Sequence, residues 1–275
     1  MLAFNYLFGL FKLGLALGSI GFSTQAIQIY SPEVFPMAES IHANAEVGTK
    51  ALMAKAGTHF QPPKDATASS RARTTTGTRR GGCLGPTETA FTIFGPDASE
   101  KVLGRTTSGY PTFVWHLPET TTDFPVIFRL LAPNEANIPV AIYETTLTYS
   151  SGFVVHQLPS TLSPLSPQTE YRWQVIIECN PEFPSQALIQ ELSFEVVPPT
   201  TALSQTLAVA TTAAEKAIIY GQEGLWYDAI AQIIQMQSID DKQALQGLLS
   251  DLAVSMPPHQ EQLRQNILEI IEVIP

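Results

Sequence analysis

The chain has 275 residues, 44% of them hydrophobic, which is enough to bury a sizeable core without depending on disulfides or metals. Its formal net charge at pH 7 is −10, and residues 106–275 hold 18 acidic but only 5 basic side chains. Because affinity for nucleic acid and for anionic lipid comes mainly from Lys and Arg, this surface argues against both as partners.

Residues 1–26 have the features of a signal peptide. Lys12 precedes an apolar run, Leu13–Phe22, and Thr24–Ala26 resembles a small-x-small cleavage site. We therefore predict that this segment directs export and is removed. An uncleaved membrane anchor is the alternative, because Leu2–Ile20 approaches the length of a membrane span although it contains a lysine.

Residues 27–80 lose hydrophobic periodicity and are rich in Ser, Thr, Ala, Pro and Gly. This composition predicts a disordered basic linker. A contact with an acidic polymer or a membrane is one role for its arginines, although charge runs in such segments are more often simply solvated. The arginines concerned are Arg71, Arg73, Arg79 and Arg80.

Residues 81–198 consist of short apolar or alternating runs separated by clusters of Pro, Gly, Asn and Thr. This pattern is typical of an all-β sandwich, and seven runs match the strand count of an immunoglobulin-like antiparallel sandwich. The predicted strands are Thr89–Phe94, Thr112–Leu117, Val126–Leu131, Val140–Leu147, Phe153–Leu158, Tyr171–Cys179 and Leu188–Val197.

The run Tyr171–Cys179 is predicted to be a central strand, because every second residue in it is apolar or a cysteine. Its predicted core face is Tyr171, Trp173, Val175, Ile177 and Cys179. Aromatic side chains of other runs, including Phe113, Trp115, Phe128 and Phe194, are expected to complete an inter-sheet core.

Residues 199–275 change to a helical period and are predicted to form a C-terminal α-helical region. The pattern indicates four short helices in two hairpins. The first is capped by Thr200 or Thr201, the second lies within Leu225–Gln237, the third starts at Asp240 or Asp241, and Pro257-Pro258 opens the fourth.

The segment Ala213–Ile233 has the spacing of small and aromatic residues found in a tetratricopeptide-type unit. Any closely packed pair of helices shows a similar pattern, since small residues let two helices approach. We therefore predict either a helical cap docked on the sandwich or a small appended bundle.

With these elements assigned, the sequence resembles a cyanobacterial family, domain of unknown function 928. The similarity rests on the glycine- and arginine-rich stretch ending in Cys83, on Tyr171-x-Trp173 with Cys179-Asn180-Pro181, and on Gly224-x-Trp226-Tyr227-Asp228-Ala229. It covers about residues 79–252. The resemblance implies a cyanobacterial, exported protein and assigns no activity.

Cys83 and Cys179 are the two cysteines of the chain. Two cysteines in an exported chain favour a single disulfide over a free pair. Both also match positions of the resembled family, so we predict that they are bonded to each other.

Candidate catalytic residues are few, because the sequence contains no nucleophile elbow, zinc-binding His-Glu-x-x-His, Cys-x-x-Cys or phosphate-binding glycine loop. No cofactor and no metal is therefore predicted. His116 and His156 lie in predicted strands and could share a sheet face as a metal pair, but separate hydrogen-bonded histidines are the preferred interpretation.

Trp226, Tyr227 and Asp228 are the remaining candidates for a binding site. The two aromatic residues are expected either to pack or to line a groove at the seam between sandwich and helices. Asp228 is expected to be a favourable charge in the first turn of its helix rather than an acid catalyst.

These observations predict an exported, periplasmic or extracellular protein that acts as a non-catalytic interaction module. Its expected partner is a protein or a glycan, not nucleic acid, and membrane association is expected only through the N-terminal segment. The alternative is a hydrolase or carbohydrate-active enzyme with its site at the seam between sandwich and helices.

Overall fold

The computed structural model of the chain describes residues 59–63, 83–84, 90–96 and 103–275. Within these ranges the chain is β-rich as far as Val196 and α-helical from Thr201 onward. The predicted signal segment and most of the predicted linker lie outside the described residues.

The described residues form eight strands in two sheets. One sheet has the order β1-β3-β6 and the other has the order β2-β8-β7-β4-β5. The strands are β1 (Thr92–Ile93), β2 (Gly104–Thr106), β3 (Thr112–Leu117), β4 (Val126–Pro133), β5 (Pro139–Leu147), β6 (Gly152–Gln157), β7 (Thr169–Ile177) and β8 (Leu188–Val196).

Each of the seven predicted runs overlaps one of these strands, and the prediction missed β2. At three residues, β2 is too short to show an alternating pattern. It pairs in parallel with β8, whereas the other strand pairs are antiparallel. The described sheets therefore contain one strand more than the predicted seven, and one pair is not antiparallel.

Aromatic side chains fill the space between the two sheets, as the alternation predicted. Phe113 of β3 packs against Phe128 of β4 and Trp173 of β7, with ring centroids 5.0 Å apart in both pairs. All three side chains are fully buried. Burial of one such ring stabilises the fold by about 1.5–3 kcal/mol, so this cluster is a main source of sheet-to-sheet cohesion.

The disulfide predicted from the sequence is present. Cys83 and Cys179 are bonded, and their Cα atoms lie 5.4 Å apart. The strand β7 ends at Ile177, two residues before the cysteine, and Cys179 is half-buried. The cysteine therefore follows the strand instead of occupying its core face, because the chain leaves the sheet ahead of Asn180-Pro181.

The C-terminal part of the described chain contains five α-helices, not the four predicted. Thr200 caps the first helix, as expected. The predicted first helix is interrupted at residues 210–212, because Thr212 and Glu215 form a capping box that starts a new one. The helices are α1 (Thr201–Val209), α2 (Ala213–Gln222), α3 (Trp226–Ile233), α4 (Ile239–Ser255) and α5 (Glu261–Glu272).

The helix α4 begins earlier than predicted, since Ser238 is its N-cap and forms a capping box with Asp241. A short 3-10 turn at Pro258–Gln260 precedes α5. Among the described helices, none combines the length and apolar character that a bilayer crossing requires.

The helices and sheets share one hydrophobic core, in which α3 packs against β2 and β3. His59–Pro63, part of the predicted linker, also packs here, and the Phe60 side chain is 1% exposed. These five residues are therefore ordered, in contrast to the predicted disordered linker. The reason is that the Phe60 ring is buried in the core, which the composition of the surrounding sequence does not indicate.

Candidate functional site

Three consecutive residues at the start of α3 form the seam between helices and sheets. Trp226, Tyr227 and Asp228 are 0%, 1% and 9% exposed. Gly224 makes the preceding turn with φ of +74°, a conformation that glycine adopts without steric cost. Successive helical residues point about 100° apart, so the three side chains contact three different parts of the core.

Trp226 connects α3 to Phe94, the residue that follows β1. Its indole Nε1 donates a hydrogen bond to the carbonyl oxygen of Phe94, at 3.1 Å. Its ring also meets Phe60 edge to face, with centroids 5.2 Å apart. The residue is therefore a packing anchor with its one polar group satisfied.

Tyr227 enters the aromatic core of the sheets. Its hydroxyl oxygen accepts a hydrogen bond from Nε1 of Trp173 at 2.9 Å, and its ring lies 5.1 Å from Phe194. Burial raises the pKa of Tyr227 well above its ordinary value. Gly104 leaves room for it, because a Cβ there would lie 2.8 Å from the tyrosine ring.

Asp228 ties the first turn of α3 to the residue after β2. Its carboxylate accepts hydrogen bonds from the backbone N–H and the hydroxyl of Thr107, both at 2.9 Å. Burial raises the pKa of Asp228, and the threonine hydrogen bonds oppose that rise. Asp228 thus combines the predicted place in the first turn of the helix with a contact to the sheet.

The structure therefore brings all three predicted residues to the seam, where they pack instead of facing solvent. An open cleft of about 580 Å³ lies at this seam, on the side of β2 and β8. Its wall is formed by residues of the sheet, of α1, of the α2–α3 turn and of the segment Gln61–Pro63. The lining residues are Gln61, Pro62, Pro63, Arg105, Thr107, Gln168, Glu195, Val197, Pro198, Thr200, Leu203, Gln222, Glu223 and Leu225.

Three glutamines, Gln61, Gln168 and Gln222, are among the residues that line the cleft. Each amide can both donate and accept hydrogen bonds. Gln168 has φ of +58°, in the left-handed region that residues other than glycine rarely adopt. Asn137 and Met236 adopt the same region and do not line the cleft, so this conformation reflects the turn that Gln168 makes before β7.

Among the described residues, the charged groups that line the cleft are Arg105, Glu195 and Glu223. Arg105 and Glu195 lie opposite each other on β2 and β8, and the Arg105 Nε lies 3.3 Å from a carboxylate oxygen of Glu195. Among these described lining residues, Glu223 adds a second carboxylate to the Arg105–Glu195 ion pair, so their summed charge is negative. The arrangement suits ligands that offer many hydrogen bonds and a positive charge.

Sequence reasoning located the seam but not the residues that line the cleft. The three glutamines come from segments far apart in the chain and follow no motif. The one local signal is Gln168, which follows Pro167 directly before β7 and occupies a turn position.

The pair of strand histidines does not form a metal site. The register pairs Phe113 with His156 and His116 with Phe153. Paired residues on neighbouring strands lie on the same face of the sheet, so His156 shares the face of Phe113. Phe113 and His116 are three positions apart on β3 and therefore lie on opposite faces, so the two imidazoles lie on opposite sides of the sheet. Elsewhere in the described ranges, no group of three or more His, Cys, Asp or Glu side chains is arranged to hold a metal ion.

Both histidines are expected to make the fold sensitive to acid. Burial lowers the pKa of His116 and of His156 below 6.5. The unfolded chain therefore binds more protons, so stability is full above about pH 6.5 and falls as the pH drops through the lowered values. We therefore expect the urea midpoint to decrease between pH 7.5 and 5.

The control for this prediction is the double variant His116→Gln and His156→Gln, whose midpoint should decrease less over the same range. Asp228 works in the opposite direction, because its raised pKa makes its burial less costly at low pH. A wild-type midpoint that stays constant from pH 7.5 to 5, or an unchanged profile in the double variant, would contradict the prediction.

Comparison with protein families identifies one match to the chain, the family described as Domain of Unknown Function (DUF928), over residues 75–257. The matched region is more than half of the chain and contains both sheets, the disulfide and α1 to α4. Comparison with curated proteins finds no match.

Proposed function

The chain belongs to the family described as Domain of Unknown Function (DUF928), and from this premise we propose that it is an exported, non-catalytic binding module. Its ligand site is the cleft between sheets and helices. The ligand is a protein segment or a glycan, and the protein works in the cyanobacterial periplasm or envelope. Nucleic acid is not a partner, and membrane contact is limited to the N-terminal segment.

The open cleft lined by three glutamines carries the binding proposal. Gln61, Gln168 and Gln222 line the cleft, and a glutamine amide carries both donors and acceptors, to which peptide groups or sugar hydroxyls are complementary. Prolines 62, 63 and 198 supply rigid apolar walls beside these amides. Such a mixture of a few polar groups and apolar surface is typical of ligand sites at junctions.

Two observations support export. The disulfide between Cys83 and Cys179 is of the kind that persists in oxidising compartments. The first 26 residues also carry the pattern of a signal peptide.

The same proposal treats the two-sheet core as an immunoglobulin-like sandwich. Support comes from the two sheets packed through alternating aromatic residues and from the mainly antiparallel pairing. The parallel strand β2 is then an addition beside β8, where it carries Arg105 to the cleft.

An array of peptides and glycans tests the binding proposal. The variant Glu223→Arg places a positive charge in the cleft and is expected to weaken binding of retained cationic ligands at least about tenfold. Glu269→Arg is the matched control, because Glu269 is exposed on α5 and is not a lining residue of the cleft. Equal loss in both variants, or no loss in Glu223→Arg, would exclude the cleft as the ligand site.

A hydrolase is the second candidate, and Glu195 and Glu223 favour it because both carboxylates line the same cleft. Pairs of carboxylates provide acid and base in glycoside hydrolysis. The ion pair with Arg105 engages Glu195, however, which favours a structural role for that side chain.

A further inference from the structure

The segment His59–Pro63 lies in a groove built by three glycines of the helical region. A Cβ at Gly221 would lie 1.9 Å from the carbonyl oxygen of His59, and a Cβ at Gly247 would lie 2.5 Å from the His59 ring. A Cβ at Gly224 would lie 2.7 Å from the Pro63 ring. Any larger side chain at these positions would therefore collide with the segment.

Gly221 and Gly247 lie within helices, where glycine is less favourable than alanine by about 1 kcal/mol. The helices tolerate this cost where a backbone must approach closely. Two glycines on different helices, α2 and α4, meet the same residue of the segment. Their positions are therefore explained by the segment and not by the packing of the two helices alone.

Directed hydrogen bonds hold the segment in addition to its shape. The backbone N–H groups of His59 and Phe60 both donate to Oδ2 of Asp251, at 2.8 and 2.9 Å. The Gln61 N–H donates to the carbonyl oxygen of Gly221 at 3.0 Å. Asp251 lies on α4 and is 4% exposed, so a buried carboxylate accepts these hydrogen bonds from the main chain of the segment.

The Phe60 side chain supplies the anchor of the segment. It is 1% exposed and meets the ring of Trp226 edge to face. Pro62 and Pro63 follow it, and consecutive prolines favour an extended polyproline conformation that loses little entropy on binding. The groove therefore contacts three features of the segment: an aromatic side chain, the main chain and two consecutive prolines.

We propose that this groove is a peptide-recognition site for extended segments of the form aromatic-x-Pro-Pro, and that His59–Pro63 is its resident ligand in cis. This interaction is separate from the ligand of the cleft, although Gln61, Pro62 and Pro63 also form one wall of the cleft. Release of the segment would consequently open the groove and remodel the cleft together.

The test uses a labelled peptide with the sequence of residues 57–64, Gly-Thr-His-Phe-Gln-Pro-Pro-Lys, and the full chain. In wild type the tethered segment competes at an effective concentration on the order of millimolar. We expect the variant Phe60→Ala, which removes the anchor ring of the resident segment and changes no residue of the groove itself, to bind the peptide at least about tenfold more tightly than wild type. The same peptide with alanine in place of phenylalanine should not bind.

Two further variants distinguish release of the resident segment from damage to the groove itself. Gly221→Ala places a Cβ against the segment, so it should release His59–Pro63 and also prevent binding of the peptide. Gln61→Pro is a milder release variant, since it removes the hydrogen bond to Gly221 and keeps the Phe60 ring. Failure of the peptide to bind folded Phe60→Ala and folded Gln61→Pro would overturn the proposal, as would equal binding to Gly221→Ala.

Hydrogen exchange of the wild-type protein provides a second test of the groove. Excess peptide should displace the resident segment, so the His59 and Phe60 amides, which donate to Asp251, should exchange with deuterium faster. Unchanged exchange of these two amides at saturating peptide would contradict the proposed groove.

Discussion

Replacement of Trp226 by alanine is expected to lower the free energy of unfolding by about 3–5 kcal/mol, the usual cost of deleting a large buried aromatic side chain. Trp226 is fully buried and packs against Phe60. The substitution also removes the donor that satisfies the Phe94 carbonyl. Urea denaturation measures the loss, and limited proteolysis should show faster cleavage in the helices.

Ile239→Ala is the matched control for this prediction, because Ile239 is a large apolar residue of the same helical region but is 73% exposed. Its effect should stay within about 0.5 kcal/mol. If Trp226→Ala proved near-neutral and instead abolished ligand binding, Trp226 would be an exposed recognition residue, contrary to its packing here.

Loss of the disulfide is expected to have the second large effect. Cys83 and Cys179 are 96 residues apart in sequence, and closing a loop of this length is worth about 4–5 kcal/mol by chain entropy. Measured effects are commonly smaller, so we expect the double variant Cys83→Ser and Cys179→Ser to lose about 2–4 kcal/mol. The urea midpoint under oxidising conditions measures it.

A reducing agent provides the control for the disulfide. It should lower the midpoint of wild type towards that of the double serine variant and leave the variant itself unchanged. Two thiols that alkylate freely in native protein from an oxidising compartment would contradict the bond, as would equal stability of both proteins under oxidising conditions.

The strands were predictable where alternation is long enough to define two faces. Buried and half-buried residues alternate over Val126–Leu131 in β4 and over Tyr171–Val175 in β7, and Phe128 and Trp173 lie in the core as expected. β2 has three residues and joins the sheet through pairing with β8, so tertiary contacts and not local pattern determine it.

The site was predictable only in part for the same reason. The helical-hairpin pattern located Trp226, Tyr227 and Asp228 at the seam, because anchors of a packed hairpin recur at fixed spacing. The amides of the cleft come from separate segments, and the ring of Phe60 lies in a stretch without periodicity. Glycines inside α2 and α4 were the available sequence signal, since an interior glycine indicates a close backbone approach.

The mass of the recovered ligand distinguishes binding without turnover from hydrolysis. Ligands retained by the wild-type chain are incubated with it, released and measured by mass spectrometry, beside the variants Glu195→Gln and Glu223→Gln. We expect every ligand to be recovered intact from all three proteins. Ligands shortened by hydrolysis with wild type, and recovered whole with either glutamine variant, would contradict it and identify the cleft as the active site of a hydrolase.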